Sequence, residues 1–166
     1  MSAVDYVTAQ IAERIGKMRQ VEIQKAMDKN MLENCLEIRR QVFIIEKGVP
    51  KEIEVDKYDC LEEACSHFLV RYQNKDVGTI RCLETSSDRV RIQRFCFLKE
   101  YRGLGLGKIV IAYIENYYKR QGYSTVEMDA KYEVFGFYEK CGYQRVSDVF
   151  IEAGIPHVKM QKEIRK

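Results

Sequence analysis

Apolar and polar positions along the chain fall into three patterns, helical recurrence, strict alternation and polar clusters, and these patterns predict the elements. Val4, Val7, Ile11 and Ile15 repeat at three and four positions, which predicts an amphipathic helix over residues 1–18 that ends near Gly16. Alternation over residues 21–27 reads as a first strand. Asn30, with Glu33 in capping-box position, then opens a helix that turns Leu32, Cys35, Leu36, Val42 and Phe43 inward and Arg39 and Arg40 outward. Residues 48–64 are polar and acidic and read as a loop with a helical turn. Residues 67–72 and 77–83 alternate around Asn74, Lys75 and Asp76 as a hairpin, and residues 90–98 add a third antiparallel strand.

The second half changes rhythm. Leu106, Val110, Tyr113, Ile114 and Tyr117 recur at helical spacing, and Lys119, Arg120 and Gly122 give that helix a basic end and a stop. A helical crossover requires the strand at 125–130 to run parallel to the one at 90–98. A short helix follows at residues 136–143. Two late strands, at 145–151 and 158–163, flank a turn at 153–156. The order β-loop-α-β-α after an antiparallel meander predicts an α+β fold with a mixed central sheet of six to seven strands and helices on both faces.

Composition narrows this picture. At 166 residues with 46% hydrophobic content, the chain suits one domain at 19–166, preceded by the helical extension at 1–18. A net charge of +3 with no dense Lys/Arg run argues against a nucleic-acid partner. No apolar run approaches the roughly 18 residues of a membrane span, and the start lacks the form of a signal peptide. A cytoplasmic protein is expected. Six cysteines without C-x-x-C spacing and two histidines predict reduced thiols and no metal site.

The chemistry centres on the loop between strand and long helix. Gly103, Gly105 and Gly107 alternate with Leu104 and Leu106 before Lys108. Glycines let an anion approach the backbone, and the helix start adds unpaired N–H groups and a positive dipole end. Such a loop is a pyrophosphate cradle, with Arg102 and Lys108 supplying charge. The spacing fits neither a Walker loop nor a dinucleotide fingerprint. Arg102 to Gly107 reads R-x-x-G-x-G, which resembles the acetyl-coenzyme A loop of the Gcn5-related N-acetyltransferase (GNAT) superfamily. The downstream phrase Gly136-Phe137-Tyr138-Glu139-Lys140-Cys141-Gly142-Tyr143 resembles the tyrosine phrase of the same family. LEIRRQVFIIEKGVP near the front and FIEAGIPHVKM near the end resemble its ElaA/YjcF-like branch, so the likeness spans about residues 20 to 162.

The resemblance implies a single GNAT-like domain whose parallel strands splay apart. Acetyl-coenzyme A would lie between them, its pantetheine arm against the backbone of Phe95, Cys96 and Phe97 and its pyrophosphate over residues 102–108. Acetyl transfer to an amine needs a free nucleophile, an oxyanion donor and a proton for the departing thiolate. A phenol with pKa near 10 suits the last task, so Tyr138 is the expected general acid. The base stays open between Glu133, His157 and water, because the strand before the loop offers Arg91, Gln93 and Arg94 and no carboxylate. Cys96 as a nucleophile is disfavoured by its apolar strand. The acceptor is expected to be a small polar amine, with glucosamine 6-phosphate held in a basic pocket of Arg39, Arg40, Arg94 or Lys159 as the single best guess and His157 as a further contact. Val134 departs from the asparagine of the glucosamine-phosphate enzymes. Asp56 and Asp59 are candidate selectors of a cationic acceptor. Alternatives are a polyamine, a protein lysine or N-terminus, or a sensor of acetyl-coenzyme A without catalysis. A homodimer is possible, through the late strands or the N-terminal helix.

Overall fold

In the computed structural model, which describes residues 2–61 and 64–165, the alternating stretches assemble into one mixed sheet. Its strands are β1 (Val21–Lys25), β2 (Cys65–Tyr72), β3 (Lys75–Glu84), β4 (Arg89–Phe97), β5 (Thr125–Lys131), β6 (Gln144–Arg145), β7 (Phe150–Glu152) and β8 (Ile155–Glu163). Their order is β1-β2-β3-β4-β5-β8-β6, with β7 paired to β8. All neighbours are antiparallel except β4 and β5. The mixed sheet and its single parallel pair match the expectation, and the count of eight exceeds it because the late strand expected at 145–151 is broken into β6 and β7. Between them Arg145 and Ser147 hydrogen-bond to local carbonyls, which offers the backbone a turn in place of a ladder.

The β2–β3 hairpin turns on Gln73 and Asn74 alone, both at positive φ (51° and 63°), the geometry of a two-residue turn that matches strand twist. Ala153 and Gly154 do the same for β7 and β8, so Ile155 and Pro156 belong to the strand and not to the turn.

Among the described residues, five α-helices accompany the sheet: α1 (Ala3–Arg19), α2 (Lys29–Arg39), α3 (Lys51–Glu54), α4 (Leu106–Arg120) and α5 (Phe135–Lys140). α4 buries Leu106, Val110, Ile111, Ile114 and Tyr118 against Phe68, Ile80, Val90, Val126, Met128 and Met160 of the sheet, which forms the larger core. On the opposite face α2 sets Leu32, Cys35 and Ile38 with Val42, Leu69 and Cys96. After Arg39 the helix widens to a π-helical turn over Arg40–Glu46. Its cap is Asp28, whose extended backbone lets the carboxylate accept the Met31 amide, and Asn30 lies inside the first turn. α3 supplies the helical turn expected within 48–64, of which residues 62 and 63 lie outside the described residues. Among the described residues no helix is long and apolar enough to cross a membrane.

α1 runs through Gly16 to Arg19 and buries no residue. The helix therefore adds no side chain to either core.

Candidate active site

The site begins where the sheet fails to close. β4 and β5 pair only at Arg89–Arg91 with Thr125–Glu127, after which the strands part. β4 remains bonded to β3 on its other edge and β5 to β8 as far as Lys131. The facing edges beyond Arg91 and Glu127 therefore present backbone N–H and C=O groups with no strand partner, and an extended ligand arm can pair with such groups.

A β-bulge shapes this cleft. Thr79 opposes Cys96 while Arg81 opposes Gln93, so Arg94 and Phe95 together face Ile80 alone, and Arg94 takes a left-handed φ of 50°. The extra residue sends Phe95 and Phe97 to the α4 side, where their rings stand 5.5 Å apart, and leaves Cys96 buried against α2. Burial pushes the Cys96 thiol up to about 12, which keeps it protonated at neutral pH and removes it as a nucleophile.

The glycine loop follows directly. Among the described residues, no acceptor receives the amides of residues 103–108, and α4 starts from Gly105 without a side-chain cap. Gly105 has φ +78° and nothing within 4 Å of where a Cβ would stand, so the loop leaves both the turn and the space an anion needs. Gly103 and Lys108 are exposed, while Leu104 is half-buried and Leu106 anchors the loop in the core. At Gly107 the reason for glycine is contact: a Cβ there would come within 3.0 Å of the Phe137 ring. These features fit a diphosphate ligand.

Arg102 is placed differently from the expected anion clamp. Its Nε donates to the Phe97 carbonyl at 2.9 Å, and Nη1 and Nη2 donate to the two oxygens of Glu46 at 2.6 and 2.8 Å. The side chain ties the π-helical turn to the loop, and the amides around it are what remain free.

α5 stands over the same junction. Phe137 lies 6.4 Å from Phe95, and Tyr138 packs edge-on against Phe137 and Tyr143 at 5.0 and 6.0 Å. The Tyr138 side chain is half-buried, and its hydroxyl has no hydrogen-bond partner among the described residues. Burial pushes that hydroxyl up from its ordinary value, so it holds its proton at neutral pH. Glu133 sits in the exposed turn between β5 and α5. His157 is buried, stacks on Phe150, and its Nδ1 donates to the Ile155 carbonyl at 2.8 Å.

The α2 face carries the charges. Arg39, expected outward, has 1% exposure: it falls at the same helical angle as Leu32, Cys35 and Val42 and points into the protein. It donates to Glu54 and Asp59, which are 3% and 2% exposed. Arg81 of β3, equally enclosed, donates to Asp56, Asp59 and Gln93. Arg94 reaches the Ile53 and Glu54 carbonyls and Asp56. Arg40 does face solvent, where Glu37 clasps it. The basic pocket expected from Arg39, Arg40 and Arg94 is thus already neutralised, and Asp59 is itself enclosed and occupied. Lys159 has no ion-pair partner among the described residues.

One residue the sequence reading missed stands out. Asp129 alternates with core residues Met128 and Ala130 and so shares the opposite face of β5 with Glu127. Arg91 binds Glu127 at 2.9 Å, but Asp129 meets it only at 3.9 Å, and the buried Asp129 Oδ1 has no partner. It lies just past the last β4–β5 pair, on the open edge. The signal was present in the strand TVEMDA, where two acids occupy one face of an otherwise core-forming strand.

Comparison with known proteins agrees with this layout. A family model described as "Acetyltransferase (GNAT) domain" matches residues 40–164. YyaT of Bacillus subtilis is 40% identical over 146 residues, covering 88% of this chain and 98% of that protein. The uncharacterized N-acetyltransferase YjcF of the same organism is 32% identical, covering 83% and 96%. The crystal structure of Escherichia coli ElaA superposes with a TM-score of 0.74 at 25% identity, covering 86% of this chain and 99% of that one.

Proposed function

The chain belongs to the GNAT acetyltransferase family, and from that premise we propose that it carries acetyl from acetyl-coenzyme A to the primary amine of a small cationic acceptor. In this reading Tyr138 is the general acid and Asp129 receives the amine. The parting of β4 from β5 beside a row of unbonded amides carries the reading, because it supplies in one place a slot for an extended arm and a cradle for a diphosphate.

Acetyl-coenzyme A, when bound, supplies an activated acyl carbon. The chain's own residues do the remaining work. The amides of residues 103–108 hold the anionic end and fix the register of the arm. Asp129 draws a positively charged amine to the mouth of the cleft, where the ammonium first gives one proton to solvent; Asp129 then takes a second from the neutral nitrogen as the new C–N bond forms. The Tyr138 hydroxyl gives its proton to the sulfur as the C–S bond breaks. Both protons then equilibrate with solvent, which resets the pair. An acid with one oxygen left without a hydrogen bond and an alcohol that stays protonated are the two states this chemistry needs.

The pairing of the arginines supports a cationic acceptor. Arg39, Arg40 and Arg94 spend their donors on Glu54, Asp59, Glu37 and Asp56, while Asp129 keeps an oxygen free. Glucosamine 6-phosphate draws no support from this arrangement.

Thiol release measured with glucosamine 6-phosphate, spermidine and a lysine peptide as acceptors tests the reading. Turnover with the polyamine and little with the sugar phosphate is expected, and the reverse order would overturn the acceptor class. Tyr138→Phe should lower kcat by roughly 10²–10⁴-fold with cofactor affinity unchanged. Unchanged turnover would remove the tyrosine from the mechanism.

A further inference from the structure

Among the described residues, nothing packs on the apolar stripe of α1. Val4, Val7, Ile11, Ile15 and Met18 are 74, 52, 53, 46 and 51% exposed, and no residue of the helix is buried. The stripe is real in three dimensions, because spacings of three and four place all five on one side. A solvated helix of this length, containing two valines, two isoleucines and Gly16, is marginal in water without a packing partner.

The stripe has an internal symmetry. If two copies of the helix lie antiparallel about Ile11, residue i of one faces residue 22 − i of the other. Val4 then meets Met18, Val7 meets Ile15, and Ile11 meets its own copy, so the apolar set maps onto itself without remainder. The same operation sets Asp5 against Lys17, opposite charges at both ends of the pair. The first turn is acidic and the last basic, so antiparallel dipoles and flanking charges agree.

We propose that α1 is a self-association element that joins two copies of this chain through an antiparallel, isologous helix pair centred on Ile11. A two-fold interface requires a self-complementary surface, and a palindromic stripe of apolar residues is one. A membrane surface is the less suitable partner: interfacial helices carry Trp, Phe and Leu over a face rich in Lys and Arg, whereas this one offers valine and isoleucine, with Asp5 and Glu13 among its charges. A helix of this length is about 25 Å long, so the contact is small and the dimer belongs in the weak, concentration-dependent class.

Sedimentation of the full chain from about 1 to 200 µM should show a monomer–dimer equilibrium. Ile11→Glu, which buries two like charges at the two-fold, should raise the dimer dissociation constant by about a hundredfold or more and leave the melting temperature of the monomer unchanged. A several-degree loss of melting temperature in Ile11→Glu would mean that α1 packs on its own domain, and would overturn the proposal. Orientation has its own test. Under a mild oxidant, a mixture of Val7→Cys and Ile15→Cys chains should cross-link between unlike copies, while Val7→Cys alone should not exceed the background of the native thiols. Efficient cross-linking of Val7→Cys to itself indicates a parallel pair, and a chain that stays monomeric yet sediments with anionic vesicles indicates a membrane helix; either result overturns the proposal.

Discussion

The two faces of the sheet differ in what they leave unsatisfied. On the α4 side, the loop at residues 103–108 holds a run of amides with no acceptor among the described residues, and the edges of β4 and β5 stop pairing after three residues. On the α2 side, Arg39 and Arg81, each with 1% exposure, are saturated by Glu54, Asp56, Asp59 and Gln93. Unused backbone donors at a surface cost little, because water serves them until a ligand does. Unpaired charge in the interior costs several kcal/mol, so the fold completes that network by itself. The open side offers a diphosphate its donors; the closed side holds α3, the π-helical turn and the β4 bulge in place so that the cleft keeps its shape, apart from Asp129 on that face of β5, whose Oδ1 has no partner among the described residues.

The most damaging way to break this contrast is to cut the closed network. Arg39→Met leaves Glu54 and Asp59 buried without their main counter-charge and should destabilise the protein by about 3–5 kcal/mol. That is a fall in melting temperature of roughly 6–20 °C, with the cofactor affinity of the folded fraction retained. A variant that melts within a degree of the parent would show the network to be dispensable. The pH dependence sharpens the point. Burial pushes the Asp59 carboxyl up, but hydrogen bonds from Arg39 and the Asp56 amide, with the charges of Arg39 and Arg81, outweigh it and bring the pKa to about 2. A depressed carboxyl contributes stability that is complete above its unfolded pKa near 4 and is lost as pH falls through its folded value. The parent should therefore lose stability between about pH 4 and pH 2, and Arg39→Met should show a shallower loss over the same interval in urea titrations.

On the open side the order of effects reverses. Gly105→Ala forces a non-glycine residue to a φ of +78° with no clash, so the cost is backbone strain alone, about 1–2 kcal/mol. The melting temperature should fall by roughly 2–8 °C. If the left-handed turn is what aims the amides, the cofactor dissociation constant should rise on the order of tenfold, the contribution of one charge-assisted hydrogen bond. Calorimetric titration separates the two, and unchanged affinity would show that the loop does not hold the diphosphate.

The same contrast explains what the sequence made legible. The glycine loop, the long amphipathic helix and the tyrosine phrase are contiguous, and each acts through backbone or local spacing, so alternation and periodicity expose them. The meander and the crossover follow from strand order alone. A charge reads as solvent-facing, which points Arg39 outward, although its spacing from Leu32, Cys35 and Val42 puts it on the buried stripe. Only Glu54 and Asp59, 15 and 20 residues away, make that burial tolerable. Arg94 likewise depends on partners about 40 residues distant and on a bulge that alternation does not signal. Long-range charge pairing leaves no periodic trace, and for the same reason the acceptor side was legible only as a list of basic residues.

The gentlest probe lies where the two sides touch. Glu46 belongs to the π-helical turn and holds Arg102 of the loop through both carboxylate oxygens, with the pair about one-third exposed. The hydrogen bond from Arg102 lowers the Glu46 carboxyl below its ordinary range, so the clasp is ionic at neutral pH. Glu46 thus places a negative charge beside the amides that should receive a diphosphate. Glu46→Gln removes that charge and frees the guanidinium to turn toward the ligand. Because exposed charges are screened by salt, the effect should be modest, a two- to fivefold tightening of cofactor binding at low ionic strength that fades towards about 0.5 M salt. Stability should hardly change. A weakened affinity instead would mean that the clasp orients the loop more than it competes with the ligand, which would move Glu46 from the closed side of the comparison to the open one.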